Sequence, residues 1–348
     1  MNTPITPSSS PTVSAPPTPW YDTRPLIDAA QTIILLTHVN PDGDAVGSLM
    51  AITHALRPLG KTLIPAVDGG TPGHLSFIPG SGQIRADLKG VTAADLIISV
   101  DASDIPRLGD AGKQALALGV PLIMADHHRT NVGFGTVNLL QPETASCAEV
   151  VFEWIEALAL PMTSDIAWSL LTGIVTDTLC FRVNSVTAST LDKASHLMAA
   201  GASLSEIAQQ TVNRRSMTSF KLWAQVLPTM QNEDRVIWAV VDKNALKAAQ
   251  YTDEGGAGGL VQLLNEADGA DIAAVFREKP DGAVELHLRA QPGFNVAAVA
   301  LSLGGGGHIL AAGATIAGPI SEAVTQVIPL LKAAVQTGLA AKTALVSV

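Results

Sequence analysis

The sequence is poor in several things, and each shortage excludes something. Among 348 residues there are two cysteines, Cys147 and Cys180. That rules out a disulfide framework or a cysteine-built zinc site and fits a reducing cytoplasm. Charged residues make up 15% and aromatic residues 4%, yet the hydrophobic share is an ordinary 47%, so the chain is not a disordered one. No apolar run approaches the roughly 20 residues of a membrane helix. No basic residue precedes Trp20, and without an apolar stretch there either, no secretory signal is expected. Basic residues are also in deficit: 21 Lys and Arg against 31 Asp and Glu give a net charge of −10. Such a balance argues against a surface that grips long nucleic acid by its phosphates. A short phosphorylated substrate needs only a few specific groups and is not excluded.

What is present reads as two domains. Residues 1–22, mostly Pro, Ser, Thr and small side chains, are expected to form a disordered tail. From 23 to 212, short apolar runs alternate with helical segments, the signature of an α/β domain with a parallel sheet. Strands are expected at 33–36, 96–100 and 122–125. Helices are expected at 46–56, 147–158, 165–175 (opened by Ser164 or Asp165 as N-cap), 187–200 and 204–211. The polar stretch 213–230 is expected to be a connection. Residues 231–348 read as a smaller α+β domain with a mixed sheet, with strands at 235–241, 271–276 and 283–288 and helices near 257–267, 295–303 and 319–336.

The three apolar strands of the first domain all end in acidic or imidazole side chains. The first runs into His38, Asp42 and Asp44, the second into Asp101, and the third into Asp126, His127 and His128. Ligands of open parallel sheets bind outside the carboxyl ends of the strands, so these residues are expected on one sheet edge. Asp177, after a helical segment, is a fourth candidate. Singly each has a plain explanation: Asp-Gly-Asp as a turn, Asp101 as a helix cap, the histidines as a polar strand end. Their joint occurrence is what those explanations fail to cover. Two carboxylates 4 Å apart repel by about 4 kcal/mol at an effective dielectric of 20. Divalent cations remove that cost, and aspartate with imidazole suits manganese or magnesium. There are ligands enough for two ions sharing one aspartate, a pair that suits phosphoryl displacement.

The second signal is the run Gly304, Gly305, Gly306, Gly307, His308. It is read as entering a small-residue helix, where backbone N–H groups and the helix dipole would meet a phosphate. Arg289, ending a strand, is a second candidate phosphate contact. Asp104 and Arg107 are expected to brace the loop after Asp101 by a local ion pair. His54, His74, His196, His287 and Cys180 are read as ordinary structural residues.

Together these residues resemble the DHH phosphoesterase family. Its motifs are matched by His38, Asp42, Asp44, Gly47 and Ser48; by Asp101, Asp104 and Arg107; by Asp126, His127, His128 and Asn131; and by Gly173, Ile174, Asp177, Thr178 and Phe181. The 304–308 motif resembles the DHH-associated C-terminal domain. Length, the 259–264 segment and Phe276-Arg277-Glu278 are most similar to the oligoribonuclease/pAp-phosphatase (nanoRNase) branch. The resemblance implies two ions, Mn2+ or another divalent cation such as Mg2+. One would be held by His38, Asp42 and Asp101, the other by Asp44, Asp101, His127 and Asp177. His128 would face the scissile phosphate, with Asp126 orienting the histidines. Arg289 and the glycines 305–307 with His308 would hold the nucleotide. One departure is Ala290, where the family often has Ser. The implied activity is hydrolysis of short oligoribonucleotides, dinucleotides or 3′-phosphoadenosine 5′-phosphate, by a cytoplasmic enzyme that could form a homodimer. Alternatives are a cyclic-dinucleotide phosphodiesterase, a manganese pyrophosphatase, a single-strand exonuclease and a non-enzymatic nucleotide-binding regulator.

Overall fold

The computed structural model describes residues 19–252 and 256–346, so positions 1–18 of the expected tail lie outside the described residues. The chain divides between Arg214 and Arg215 into two compact units.

The first unit begins earlier than position 23. Trp20–Asp22 forms a turn of 3-10 helix, Trp20 packs against the core, and the Thr23 hydroxyl donates to its carbonyl at 2.6 Å. The unit then runs through α1 (Thr23–Ala29), β1 (Thr32–Leu36), α2 (Gly43–Leu56), β2 (Thr62–Ala66) and β3 (Leu96–Val100). It continues with α3 (Gly109–Leu116), β4 (Leu122–Asp126), β5 (Val137–Leu140), α4 (Cys147–Ala157), α5 (Ser164–Asp177), α6 (Ala188–Ala199) and α7 (Leu204–Gln210). The sheet order is β2-β1-β3-β4-β5, with every pair parallel. Side chains leave a strand alternately on its two faces, and both faces are covered here. Ile33, Leu35, Ile98, Val100 and Ile123 meet residues of α2, α4 and α5. Ile34, Leu36, Ile97 and Met124 meet Ala111 and Ala115 of α3. Burial on both sides is why these strands read as unbroken apolar runs.

Strands β2 and β5 went unexpected. Both lie at sheet edges, are only partly buried, and carry Pro65 and Asn138, so their hydrophobic signal is weak. The N-cap of α5 is Thr163, whose side chain accepts from the Ile166 amide, one residue before the expected Ser164.

The second unit is a mixed sheet of six strands: β6 (Gln231–Glu233), β7 (Val236–Val241), β8 (Ile272–Glu278), β9 (Val284–Ala290), β10 (Gly306–His308) and β11 (Ala311–Ile316). They lie in the order β10-β11-β9-β8-β7-β6, parallel only between β7 and β8. Its helices are α8 (Met217–Val226), α9 (Lys243–Ala249), α10 (Leu260–Asn265), α11 (Val296–Ser302) and α12 (Ile320–Val346). No helix among the described residues is long and apolar enough to cross a membrane.

Two expectations are corrected here. The stretch 213–230 contains α8, whose Leu222 and Val226 are buried with Tyr251 and Leu260. Its period is blurred in sequence because Met217 and Phe220 are exposed apolar residues on the same helix. The glycine run enters no helix: it follows α11 and forms the first strand of the β10–β11 hairpin. The small residues beyond it alternate instead, with Ala312, Ala314 and Ile316 buried, a period of two that belongs to a strand.

Candidate active site

The carboxyl ends of β1, β3 and β4 are adjacent in the sheet, and the loops leaving them deliver the acidic and imidazole residues together. Two of those loops reverse through left-handed residues, Asn40 and Asp101, both at φ 54°; Asn and Asp tolerate this conformation better than most side chains. The Asp101 amide donates to the Ala125 carbonyl at 2.9 Å, which extends the β3–β4 ladder by one residue and fixes where its carboxylate sits.

Asp101 is the centre. Its Oδ2 lies 3.6 Å from His38 Nε2, and its Oδ1 lies 3.7 Å from both His127 Nε2 and His128 Nδ1. His127 Nε2 is also 3.4 Å from Asp177 Oδ2 and 4.0 Å from Asp44 Oδ2, and His38 Nε2 is 4.0 Å from Asp42 Oδ1. Ligand atoms therefore gather in three overlapping groups: His38, Asp42 and Asp101; Asp44, His127 and Asp177; and Asp101, His127 and His128.

Each side chain is held by groups behind it. His38 Nδ1 is 2.8 Å from the Val39 carbonyl, which turns Nε2 inward. Asp42 caps α2, its Oδ1 accepting from the Asp44 and Ala45 amides. Asp44 accepts from the Cys147 amide at 2.6 Å, the Ala148 amide at 2.9 Å and the Ser48 hydroxyl at 3.3 Å. Asp126 holds His128 Nδ1 at 2.8 Å and itself accepts from the Asn131 side-chain Nδ2 at 2.7 Å. Asp177 reaches the cluster because α2 and α5 pack unusually closely. A Cβ on Gly47 would fall 2.4 Å from the Ser169 carbonyl, and one on Gly173 would fall 2.5 Å from Asp44 Oδ1.

The electrostatics record crowding. Burial, then Asp101, Asp177 and Asp42, push the Asp44 carboxyl well above its usual range. Burial, then Asp101 and Asp42, do the same to Asp177. Burial also acts to raise Asp101, but the hydrogen bond from His38 and the charges of the three histidines outweigh it and leave it low. At His38 burial is outweighed by Asp101, Val39 and Asp42, so its pKa is raised. His128 is raised by its hydrogen bond to Asp126, against a smaller effect of burial. One further observation fits a cation: Asp101 Oδ1 is buried with no hydrogen-bond partner, although a buried carboxylate oxygen normally has one. These donors fit divalent metal ions.

Asp104 differs from expectation. Its carboxylate accepts from the Arg107 backbone amide at 3.0 Å, capping a 3-10 turn, and the Arg107 carbonyl accepts from the Val39 amide at 2.8 Å. The bracing runs through backbone and links the Asp101 loop to the His38 loop. The Cys147 and Ala148 amides were missed in the sequence, since any residue supplies an amide.

The second unit assembles its own candidate residues. Ala311 pairs with His308 on one side and Arg289 on the other, so the three side chains share one face of the sheet. Arg289 donates to the Leu288 carbonyl at 2.9 Å and to the side-chain carbonyl of Gln262 at 3.1 Å, a partner that nothing in the sequence marked. Ala290, beside it, faces the opposite way into the core. The glycines have different tasks. A Cβ on Gly305 would lie 2.1 Å from the Gly313 carbonyl, and one on Gly307 would lie 2.6 Å from the Ala311 carbonyl. The Gly305 amide is already bonded to the Ala300 carbonyl at 2.8 Å. Gly304 and Gly306 have open space beside them, Gly304 with a φ of 78°.

Comparison with known proteins identifies both domains. Residues 32–174 match the DHH family N-terminal domain and residues 234–337 the DHHA1 domain. The chain is 32% identical over 294 residues, 82% of its length and 84% of the relative's, to the bifunctional oligoribonuclease and PAP phosphatase NrnA of Thermus thermophilus. It is 24% identical to the cyclic-di-AMP phosphodiesterase PdeA of Listeria monocytogenes, covering 88% of this chain and 48% of that protein. Among solved structures, an exopolyphosphatase-related protein from Bacteroides fragilis superposes with a TM-score of 0.84 at 25% identity, covering 91% of this chain and 97% of that one. The chain belongs to the DHH phosphoesterase family, a DHH domain followed by a DHHA1 domain, and is a hydrolase.

Proposed function

We propose that this enzyme hydrolyses short oligoribonucleotides and dinucleotides to 5′-mononucleotides, and 3′-phosphoadenosine 5′-phosphate to AMP, with two Mn2+ ions. The observation that carries this reading is the Asp101 constellation, in which one carboxylate lies between the His38–Asp42 pair and the Asp44–His127–Asp177 group. His38, Asp42 and Asp101 would hold one ion; Asp44, Asp101, His127 and Asp177 the other. Divalent ions bound there would oppose the charge that develops on the phosphoryl oxygens and acidify water.

The remaining residues act on the substrate. Asp126 occupies His128 Nδ1, so Nε2 is the atom left for the phosphate. The same carboxylate favours the imidazolium form, which suits a donor of a proton to the leaving oxygen. Arg289 supplies a fork of donors for a phosphate, with His308 on the same face of the sheet and Gly306 two residues before it on β10. The net charge of −10 favours short substrates over long ones.

The test is Mn2+-dependent hydrolysis of a 5′-labelled ribonucleotide ladder from dimer to about 24-mer, long enough to reveal an extended phosphate track. Mononucleotide release that falls steeply with length is expected, and 3′-phosphoadenosine 5′-phosphate should be dephosphorylated by the same preparation. Equal cleavage at all lengths would overturn the short-substrate reading. Cleavage confined to cyclic di-AMP would transfer the assignment to the activity for which the Listeria relative is named.

A further inference from the structure

The 141–148 segment touches the ligand cluster twice. The Cys147 and Ala148 amides carry the Asp44 carboxylate, and the Thr144 carbonyl lies 3.5 Å from His127 Nδ1. Behind that segment, away from the cluster, lies a buried ion network. The Ala145 amide donates to Glu149 Oε1 at 2.9 Å, while the Glu149 amide donates to the Ser146 hydroxyl at 3.3 Å. The Glu149 carboxylate also accepts from the Thr190 hydroxyl at 3.2 Å and from Lys193 Nζ at 3.1 Å. Lys193 reaches on to Glu153 at 2.8 Å and the Ser189 hydroxyl at 3.0 Å. Glu153 in turn accepts from the Gln141 side chain at 2.7 Å. Glu149 is 1% exposed and Lys193 7%.

We propose that Glu149, set by Lys193, is a positioning residue for Asp44: it fixes residues 145–148 so that two consecutive amides meet one carboxylate. The inference rests on the two-ion reading, which gives Asp44 its task. Stability alone does not account for the network. A buried ion pair is often replaced by apolar residues of similar volume at no loss of stability, and Ser146 already caps the helix. What an apolar pair could not supply is the acceptor for the Ala145 amide. That amide immediately precedes the turn carrying Cys147 and Ala148. Glu149 touches none of the candidate ion ligands, so its effect passes through backbone alone.

The closing experiment separates position from stability. In the full chain, Glu149→Leu combined with Lys193→Met should lower the metal-free melting temperature no further than Trp154→Phe does, since what is lost is chiefly the acceptor of the Ala145 amide, yet weaken Mn2+ binding, measured by titration calorimetry, roughly 10-fold. Hydrogen exchange at 145–148 in the metal-free protein should speed up. Glu149→Gln, which keeps the acceptor, should restore Mn2+ binding. Trp154→Phe, on the same helix, removes a 2.9 Å bond to Thr23; it should lower the melting temperature and leave Mn2+ binding unchanged. Should the paired substitution not fold, Glu149→Ala gives the same test, because Glu153 still pairs with Lys193. Parental Mn2+ affinity in the paired or Ala variant would overturn the proposal. Asp44→Asn is run alongside: if it too leaves Mn2+ binding intact, the two-ion reading has failed rather than the positioning.

Discussion

Asp101 combines three properties that a structural aspartate would not combine. It is buried, its backbone is left-handed, and one carboxylate oxygen has no hydrogen-bond partner. Burial should favour the neutral acid, yet the surrounding imidazoles hold it ionised. An ionised oxygen with no hydrogen-bond donor leaves a coordination position that a cation would fill. Asp101→Asn keeps the size and tolerates the same φ, so the fold should survive. Loss of the charge should reduce Mn2+-dependent hydrolysis by about 100-fold or more, beyond the range seen for residues behind the ligands. Steady-state kinetics at saturating Mn2+ would check this, and an active Asn variant would remove Asp101 from the shared position. His128 is a different case, since the role proposed for it lies in the proton rather than in an ion. Asp126→Asn should move the alkaline limb of the pH–rate profile to lower pH, because the imidazolium that donates the proton owes its raised pKa first to that hydrogen bond.

At the scale of elements, helices α2 and α5 decide whether Asp44 and Asp177 can face the same histidine. They approach through Gly47 and Gly173, where an added methyl group would meet backbone or Asp44 itself. Gly47→Ala should cost about 1–3 kcal/mol of stability through overpacking and weaken Mn2+ binding as the helices part. Gly82→Ala, with open space around its Cβ position, should do neither; urea denaturation and ion titration read both. This geometry also explains what could be read in advance. The loops carrying the candidate ligands were legible because each follows an apolar run of strand length, too short for a buried helix, as with 96–100 before Asp101. The edge strands β2 and β5 were not, because half-exposed edges need no continuous apolarity. The 304–308 run misled because glycine marks close backbone approach without saying whether helix or hairpin makes it. Burial of alternate residues from Ala312 to Ile316 decides for the hairpin. Backbone donors such as Cys147 and Ala148 leave no trace in residue identity at all.

For the molecule as a whole, the buried carboxyl and imidazole groups with shifted titration fall into two sets of opposite sign. In the first unit Asp44 and Asp177 are raised above 3.8, and His38 and His128 above 6.5. Folded and metal-free, that unit holds protons which the unfolded chain has released. The contribution of these four groups to its stability is therefore greatest at low pH and is lost as pH rises through their folded pKa values. Asp101 runs the other way, but its lowered pKa places that effect below 3.8. In the second unit the shifted group is His287, lowered chiefly by burial and only partly offset by Glu285. Its contribution is present above 6.5 and is lost as pH falls through the lowered value. Ion binding reverses the first sign, because ligands must be deprotonated to bind. Ions at 100 times their dissociation constant would add about 2.7 kcal/mol. Calorimetry of the full chain in chelator, then in Mn2+, should show one melting component that falls with rising pH and is lifted by the ion. Mn2+ should lift that component more at high pH than at low. A metal-free component that instead gains stability as pH rises, with no response to Mn2+, would mean that the carboxylates crowd for a reason other than holding cations.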